Sequence, residues 1–264
     1  MALWTALAVG ALIMLFPFLW TVVTSITPQG NLSGAPSLVV QDPTLDPYRA
    51  VFSRIPVFRI VLNSFGVAIA TTAFQLLTGT MAAYAFSRLD FRGKGIILSA
   101  YLATMMIPLQ VLVAPLFIGM TRLHLNDTYF SLVAPNIAWA FGIFLLKQAM
   151  DAVPRELDEA ARIDGASHLR IWAQVVIPLV KPSMAALTVF AFMESWNSFL
   201  WPLVVIRSPE LMTLPLGLSF LRSQFTTDWN VVMAGSVISI VPIVIVYLLA
   251  QRHIIAGMAY TGLK

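Results

Sequence analysis

The chain has 264 residues, of which 59% are hydrophobic and 11% are charged, and its net charge is +4. A soluble domain of ordinary composition is about 45 to 50% apolar and about 25% charged. A globule of this length could not bury so many apolar residues with so few charges for its surface, so lipid is the expected solvent, and a soluble enzyme or a disordered protein is excluded. The basic residues lie in short segments between apolar runs, which favours a topological role over nucleic-acid binding. Cysteine is absent, which excludes disulfides, thiolate metal sites and cysteine nucleophiles.

The first apolar run, Leu3 to Ile26, is long enough to cross a bilayer, which takes about 20 apolar residues in a helix. A cleaved signal peptide is the alternative interpretation. Signal peptides carry basic residues ahead of a shorter apolar stretch, whereas the first basic residue here is Arg49. We therefore expect a retained transmembrane helix.

Five further spans are predicted where charged residues are missing over long stretches, and the fifth span is interrupted only by Glu194. The alternating polarity of transmembrane β-strands is not found in these runs. The predicted fold class is an all-α membrane protein with six transmembrane helices, and residues 1–264 are expected to form a single transmembrane domain. The six helices cover approximately residues 3–26, 60–87, 96–119, 129–147, 183–205 and 229–250.

The orientation follows from Lys and Arg, which are enriched on the cytoplasmic side of membrane proteins. One side carries ten of them: Arg88, Arg92, Lys94, Lys147, Arg155, Arg162, Arg170, Lys181, Arg252 and Lys264. The other side carries six: Arg49, Arg54, Arg59, Arg122, Arg207 and Arg222. The counts predict that both termini are cytoplasmic, although the three basic residues between the first two spans argue for the opposite orientation.

The longest predicted cytoplasmic segment, about residues 148–181, has the pattern of a helix-turn-helix. Pro154 followed by acidic residues suits a helix N-terminus, and Gly165 suits a helix end because glycine enters the left-handed conformation at little cost. Ser167 can cap a second helix, which Pro178 would end. On these grounds alone, the segment could be an inert amphipathic linker at the membrane surface.

The order of residues in this segment is more specific than its helical pattern. Glu159-Ala160-Ala161 is followed after three residues by Gly165, within Asp164-Gly165-Ala166, and nine residues later by the run Val175, Val176, Ile177 and Pro178. This order resembles the EAA loop of binding-protein-dependent ABC importers. Asn63-Ser64 at the start of the second span and Trp196-Asn197 in the fifth extend the resemblance along the chain. Trp172, Val175 and Ile177 replace the commonest residues of the pattern with other apolar ones. The chain is similar to permease subunits of the carbohydrate-uptake branch, as in the smaller membrane subunit of the maltose importer.

The resemblance implies a mechanism in which the first loop helix docks on a cytoplasmic ATPase subunit and ATP-driven closure of the ATPase pair switches the permease between inward-facing and outward-facing states. It assigns the coupling contacts to five residues: Glu159, Ala160, Ala161, Asp164 and Gly165. It also implies a heterodimer with a second, homologous permease subunit, two ATPase subunits, an extracellular solute-binding protein and a prokaryotic plasma membrane.

No phosphate-binding loop is found in the sequence, since Gly93-Lys94 is preceded by Arg88 where the motif requires glycine. We expect ATP and Mg²⁺ to bind the partner ATPase subunits and this chain to be a translocation subunit that is not an enzyme. The histidines, His124, His168 and His253, are far apart in the sequence, so no metal site or other cofactor is expected.

Glu194 is the only ionisable residue deep in a predicted span, where a charge costs about 3 kcal/mol or more, so it should face the bundle interior, a cavity or a partner. Aromatic rings and amide groups suit the C–H faces and hydroxyls of sugars. The other candidates for a substrate path are Trp196, Asn197, Trp201, Gln75, Gln110, Asn136 and Trp139. Packing between helices and anchoring at the membrane interface are equally consistent roles for these residues.

The solute is expected to be a disaccharide, an oligosaccharide, an amino sugar or a glycerophosphodiester, with most of the specificity set by the binding protein. The alternative is an ATP-independent secondary transporter that couples Glu194 to a proton, which the lack of an evident inverted repeat disfavours. An intramembrane enzyme is disfavoured because the spans contain no paired acids, histidine dyad or Ser-Lys pair.

Overall fold

The computed structural model describes residues 1–28, 40, 42–222 and 228–261, and all regular secondary structure in these residues is helical. The helices are α1 (Ala2–Ser25), α2 (Asp46–Arg54), α3 (Val57–Arg88), α4 (Lys94–Ala103), α5 (Leu109–Arg122), α6 (Tyr129–Val133), α7 (Ala140–Asp151), α8 (Glu156–Ile163), α9 (His168–Ile171), α10 (Ile177–Leu179), α11 (Lys181–Trp196), α12 (Leu200–Val205), α13 (Leu214–Ser219) and α14 (Trp229–Thr261). Short 3₁₀ turns follow α4 and α6, and a π-helix joins α9 to α10.

Three helical segments are long and apolar enough to cross a membrane unbroken: Leu3–Ser25, Val57–Arg88 and Trp229–Val246. They correspond to the first, second and sixth predicted spans. Three further pairs of helices meet the same criterion only together, because each pair is bent at a short break. The described residues therefore contain three to six candidate spans. Two of the bent pairs cover the predicted third and fourth spans. The other pair, His168–Leu179 with Lys181–Trp196, joins the second half of the predicted loop 148–181 to the first part of the predicted fifth span.

The predicted third span, 96–119, is broken before Pro108. The helical segments Lys94–Met106 and Leu109–Arg122 meet at 103°. Ile107 has extended backbone angles, as expected for the residue before a proline, whose ring disfavours a helical neighbour. Pro108 itself is the N-cap of α5.

The predicted fourth span, 129–147, is broken between residues 136 and 140, with a bend of 47°. Backbone carbonyls freed by such a break need donors, because the bilayer core has no water to supply them. Two side chains of α3 provide these donors. The Gln75 amide donates to the Asn136 carbonyl at 2.8 Å, and the Thr78 hydroxyl donates to the Ile137 carbonyl at 2.7 Å.

The predicted fifth span, 183–205, divides into α11 and α12 at residues 197–199. Pro202 explains the break, since a proline inside a continuous helix would clash with the carbonyl four residues earlier and leave it without a donor. In the structure Pro202 lies in the first turn of α12, where a missing N–H is tolerated. The Asn197 amide donates back to the Met193 carbonyl at 2.8 Å, at the end of α11.

The chain folds as two compact units, of which the first comprises Met1–Asn63 and Met212–Ile245. In this unit the Asn63 amide donates to the Met212 carbonyl at 2.9 Å. Gly217 in α13 lies against Ile60, where an added Cβ would stand 2.7 Å from the Ile60 Cδ1 atom. The absence of a side chain at Gly217 therefore allows α13 to approach α3 closely.

The second unit comprises Ser64–Leu211 and Val246–Lys264. Its buried apolar cluster draws on α3, α7, α9, the π-helix, the turn before α11, and α11. The cluster consists of Ala83, Tyr84, Leu146, Met150, Ile171, Val176, Val180 and Leu187. The segment with the EAA-like order therefore packs on the core of this unit through its second half.

Candidate functional site

Helix α8 contains the Glu159-Ala160-Ala161 sequence and ends in a complete Schellman motif. The Ala166 N–H donates to the Ala161 carbonyl and the Gly165 N–H to the Arg162 carbonyl, both at 2.9 Å. Gly165 has φ +78°, the left-handed conformation that this motif requires. The chain therefore reverses at Gly165, and Ser167 then caps α9 by accepting from the Arg170 N–H.

The outer surface of α8 is open and partly apolar. Leu157 is 44% exposed and Ile163 is 87% exposed, and the side chains of Glu159, Ala160 and Asp164 are exposed beside them. In contrast, Ala161 packs on the apolar cluster of the second unit. Ile163 is therefore a large apolar side chain that is almost wholly uncovered at the end of α8.

Asp158 is the only buried residue of α8, and it forms an ion pair with Arg88 at the end of α3. The Arg88 Nε and Asp158 Oδ2 atoms are 2.7 Å apart, and the two side chains are 3% and 7% exposed. Arg88 also donates from Nη2 to the Val153 carbonyl at 2.8 Å. The Asp158 Oδ1 atom is buried and has no hydrogen-bond partner among the described residues, so Arg88 is the only charged partner of this carboxylate.

A second group of bonds joins the last turn of α3 to the segment before α8. Arg155 donates to the Ser87 carbonyl at 3.0 Å, which caps the C-terminal end of α3 with a positive charge. The Ser87 hydroxyl donates to Asp151 at 2.6 Å, and Asp151 is also paired with Lys147 at 2.5 Å. The end of α3 is therefore bonded to α7, to the linker before α8 and to α8 itself.

A cavity of about 500 Å³ lies between α8 and the residues that follow α3. Its lining is mostly charged and consists of Arg88, Leu89, Asp90, Phe91, Arg155, Asp158, Glu159, Arg162 and His168. The Arg88–Asp158 pair joins the two sides of this cavity, so a group inserted there would contact both α8 and the end of α3.

Glu194 is exposed on α11 and makes no hydrogen bond or ion pair with any residue that the structure describes. Phe190 and Asn197 lie one turn away on either side, at helical spacing, and are also exposed. Phe190 packs edge-on against Phe141 at a centroid distance of 6.2 Å, and Phe141 lies 5.0 Å from Trp139. A row of three aromatic rings therefore leads towards the helix face that holds Glu194.

The two tryptophans of the predicted substrate path are core residues of the second unit. Trp196 is 1% exposed and packs against Phe65 and Phe192 at centroid distances of 4.7 and 5.8 Å. Trp201 is 2% exposed and donates from Nε1 to the Ser131 carbonyl at 2.8 Å. Neither presents a ring face at the surface.

The remaining predicted path residues are distributed between scaffold and surface positions. Gln75 is 4% exposed, and its amide donates to the Asn136 carbonyl. Asn136 and Trp139 lie at the break before α7 and are partly exposed, while Gln110 is exposed in the first turn of α5. The structure thus brings Gln75, Asn136 and Trp139 into one region.

Asp127, between α5 and α6, connects two segments that are distant in the sequence, a role that the sequence does not predict. It has φ +57° and accepts from the backbone N–H groups of Arg207 and Ser208 at 2.9 and 3.0 Å, and from the Ser208 hydroxyl. These hydrogen bonds, led by the one from the Ser208 side chain, hold the pKa of Asp127 below its ordinary value of 3.8. The short segment after α12 is therefore fixed to the loop that precedes α6.

Sequence reasoning also missed the roles of Asp158, Phe141 and Phe190. A signal for Asp158 was available, because it shares a helical face with Ala161, three residues on, which packs on the core. Its partner, Arg88, lies 70 residues earlier in the chain, where the charge pattern predicts only a topological role. Among the described residues, no group of three or more His, Asp or Glu side chains is placed to hold a metal ion.

Residues 75–260 match the family described as the inner membrane component of binding-protein-dependent transport systems. The chain belongs to this family. It is therefore a multi-pass membrane protein and a permease subunit. Its apolar helices and the EAA-like order around Gly165 agree with this assignment.

Two permease proteins are similar to this one over almost their whole length. The arabinooligosaccharides transport system permease protein AraQ of Halalkalibacterium halodurans is 36% identical, over 96% of this chain and 92% of its own. The sulfoquinovosyl glycerol transport system permease protein SmoH of Agrobacterium fabrum is 33% identical, over 95% and 89%. A chain in the crystal structure of a bacterial ABC transporter involved in the import of the acidic polysaccharide alginate has a TM-score of 0.83 and 25% identity, covering 94% of this chain and 93% of that one.

Proposed function

We propose that this permease subunit carries a sugar or a sugar-like solute into the cell as part of an ATP-driven importer. The support is the agreement in substrate class among its relatives, which transport arabinooligosaccharides and sulfoquinovosyl glycerol and which match nearly the whole chain. A disaccharide, an oligosaccharide, an amino sugar or a glycerophosphodiester fits this class.

The coupling contact with a cytoplasmic ATPase subunit is assigned to the outer surface of α8 and to the turn at Gly165. Leu157 and Ile163 offer apolar area, and Glu159 and Asp164 offer carboxylates to basic groups of the partner. Ala160 is exposed and small, so a partner can approach the helix axis closely. In this assignment α8 and both termini lie on the cytoplasmic side.

The assembly contains a second, homologous permease, two ATPase subunits that bind ATP and Mg²⁺, and an extracellular solute-binding protein. The family description supports the last of these partners directly, because transport in this family depends on a binding protein. The second permease is supported by Glu194, since an exposed carboxylate on a membrane-spanning helix is costly against lipid. A polar cavity between two permeases would solvate it.

The substrate path is assigned to the face of α11 that holds Phe190, Glu194 and Asn197, together with Trp139 at the break before α7. Aromatic rings stack on the C–H faces of sugars, and carboxylate and amide groups bond their hydroxyls. The row of rings from Trp139 through Phe141 to Phe190 supports this position for a solute.

The experiment that tests this function co-expresses the chain with its neighbouring permease, ATPase and binding-protein subunits and measures co-purification, ATP hydrolysis and uptake into proteoliposomes. Glu159→Arg should reduce partner binding and stimulated hydrolysis, because it reverses a charge on the docking surface. The matched control is Asp42→Arg, which reverses the charge of an exposed acid outside α8 and should leave ATPase binding intact.

Transport by the chain alone, without ATP and in response to a proton gradient, would contradict the importer assignment. Glu194 would then be the centre of a secondary transporter.

A further inference from the structure

The ion pair between Arg88 and Asp158 joins two elements with very different surroundings. Helix α8 exposes all of its charged side chains except Asp158, whereas at the end of α3 the Ser87 carbonyl accepts from Arg155 and the Arg88 side chain donates to the Val153 carbonyl. Both members of the pair are at least nine-tenths buried. A buried ion pair is weak grounds for stability by itself, because desolvation offsets much of the attraction. The 2.7 Å contact between Arg88 Nε and Asp158 Oδ2 nevertheless links the end of α3 to α8.

We propose that the Arg88–Asp158 pair transmits movement of α8 to α3, and that both are positioning residues for transport. This inference rests on the proposed function, in which an ATPase subunit moves α8. The inference concerns how movement of α8 reaches α3, and the residues assigned to the ATPase contact stay the same.

Helix α3 is well suited to carry such a movement. It is continuous from Val57 to Arg88, so at about 1.5 Å per residue a displacement at one end is carried along a rigid element tens of ångströms long. The other connection from α8 runs through α9 and a π-helix to α11, with a bend of 82° before α11. That connection therefore changes direction before it reaches α11, whereas Arg88 lies at the end of a single unbroken helix.

The movement of α3 would reach the broken fourth span through side chains already described. Gln75 and Thr78 hold the carbonyls of Asn136 and Ile137 from α3, and Trp139 follows directly. A shift of α3 therefore displaces the backbone at this break, where two predicted substrate-path residues lie. The proposed route runs from Asp158 to Arg88 and then along α3. From α3 it continues through Gln75 and Thr78 to the break in the fourth span.

The test compares variants of the full chain in the assembled complex. Asp158→Ala should leave α8 able to bind the ATPase but should lower the number of solute molecules imported per ATP hydrolysed at least tenfold. The ratio is chosen because a purely structural defect lowers import and hydrolysis together, through the amount of complex. The double variant Arg88→Met with Asp158→Leu replaces the pair with apolar side chains of similar size, so that neither charge is left buried alone.

We expect the double variant to restore the amount of complex to the wild-type level, while the number of solute molecules imported per ATP stays low. Recovery of import per ATP to the wild-type ratio in the double variant would overturn it, because packing alone would then suffice. If Asp158→Ala does not accumulate, the double variant carries the comparison by itself. The matched control is Arg49→Met with Asp46→Asn, which removes an ion pair whose side chains are 81% and 68% exposed. In this control the number of solute molecules imported per ATP should not change. Failure of the proposed function is distinguishable, since the wild-type complex would then show no ATP-dependent import.

Discussion

Asp127 accepts hydrogen bonds from the backbone N–H groups of both Arg207 and Ser208, at 2.9 and 3.0 Å, although 80 residues of chain separate it from the first of them. The loop before α6 and the segment after α12 are therefore joined through one carboxylate. Because all of these donors favour the ionised form, the joint depends on the charge of Asp127.

Acid should weaken this joint. The folded pKa of Asp127 lies below its ordinary value of 3.8, so its contribution to stability is complete above that value and is lost as the pH falls through the folded pKa. Asp127→Asn should lower the melting temperature at neutral pH, and the difference from wild type should shrink as the pH falls below 3.8. Thermal unfolding of the detergent-solubilised protein across this range measures the effect. The exposed acid Asp42, changed to Asn, serves as control, and an unchanged difference at every pH would contradict the prediction.

Substitution of Gly165 should act through backbone conformation. A side chain has free space at this position, since no atom lies within 4 Å of an added Cβ, but φ is +78°. The left-handed conformation costs an ordinary residue about 1–2 kcal/mol, and asparagine tolerates it better. Gly165→Val should therefore reduce coupling of ATP hydrolysis to transport at equal amounts of membrane protein.

Gly165→Asn is the matched variant and should retain most of the coupling. Both are compared by stimulated ATP hydrolysis in the assembled complex. Equal loss in the two variants would show that the absence of a side chain, and not the left-handed conformation, is what matters at this position.

Trp201→Phe should lower stability and leave solute affinity unchanged. The Trp201 Nε1 atom donates to the Ser131 carbonyl in a buried environment, and loss of the donor leaves that carbonyl unsatisfied at a cost of about 1–3 kcal/mol. The measurements are thermal unfolding and the solute concentration that gives half-maximal uptake. A change in the half-maximal solute concentration at unchanged stability would contradict this prediction and place Trp201 in the substrate path.

Glu194→Gln should lower the apparent affinity for the solute and leave stability unchanged. The exposed carboxylate has no partner among the described residues, so its removal costs the fold little. A hydrogen bond from a solute hydroxyl to a charged group contributes about 1.5–3 kcal/mol, so the apparent affinity for the solute should fall about tenfold or more. Uptake at varied solute concentration measures this change.

Unfolding of the same Glu194→Gln preparation provides the control, since its melting temperature should match wild type. A lower melting temperature with unchanged apparent affinity would instead assign Glu194 to packing between helices.

Several features could be predicted from local sequence because their causes are local. The extent of the second span follows from the positions of Arg59 and Arg88, and the reversal at Gly165 follows from the conformational freedom of glycine. The breaks in the third and fifth spans also had a local cause, in Pro108 and Pro202, but continuous hydrophobicity obscured them. Whether a proline kinks or ends a helix depends on the neighbours that satisfy the freed carbonyls.

Composition and charge spacing by themselves determined that the protein resides in lipid as a set of helices, because the transfer free energy of apolar runs depends on residue type alone. Local residue order similarly determined the turn at Gly165. Only the tertiary structure decided that Asp158 is buried against Arg88, that Trp196 and Trp201 belong to the core, and that Glu194 is exposed. Each of these outcomes depends on which segments, tens of residues apart, pack together, and a side chain's burial is a property of that packing.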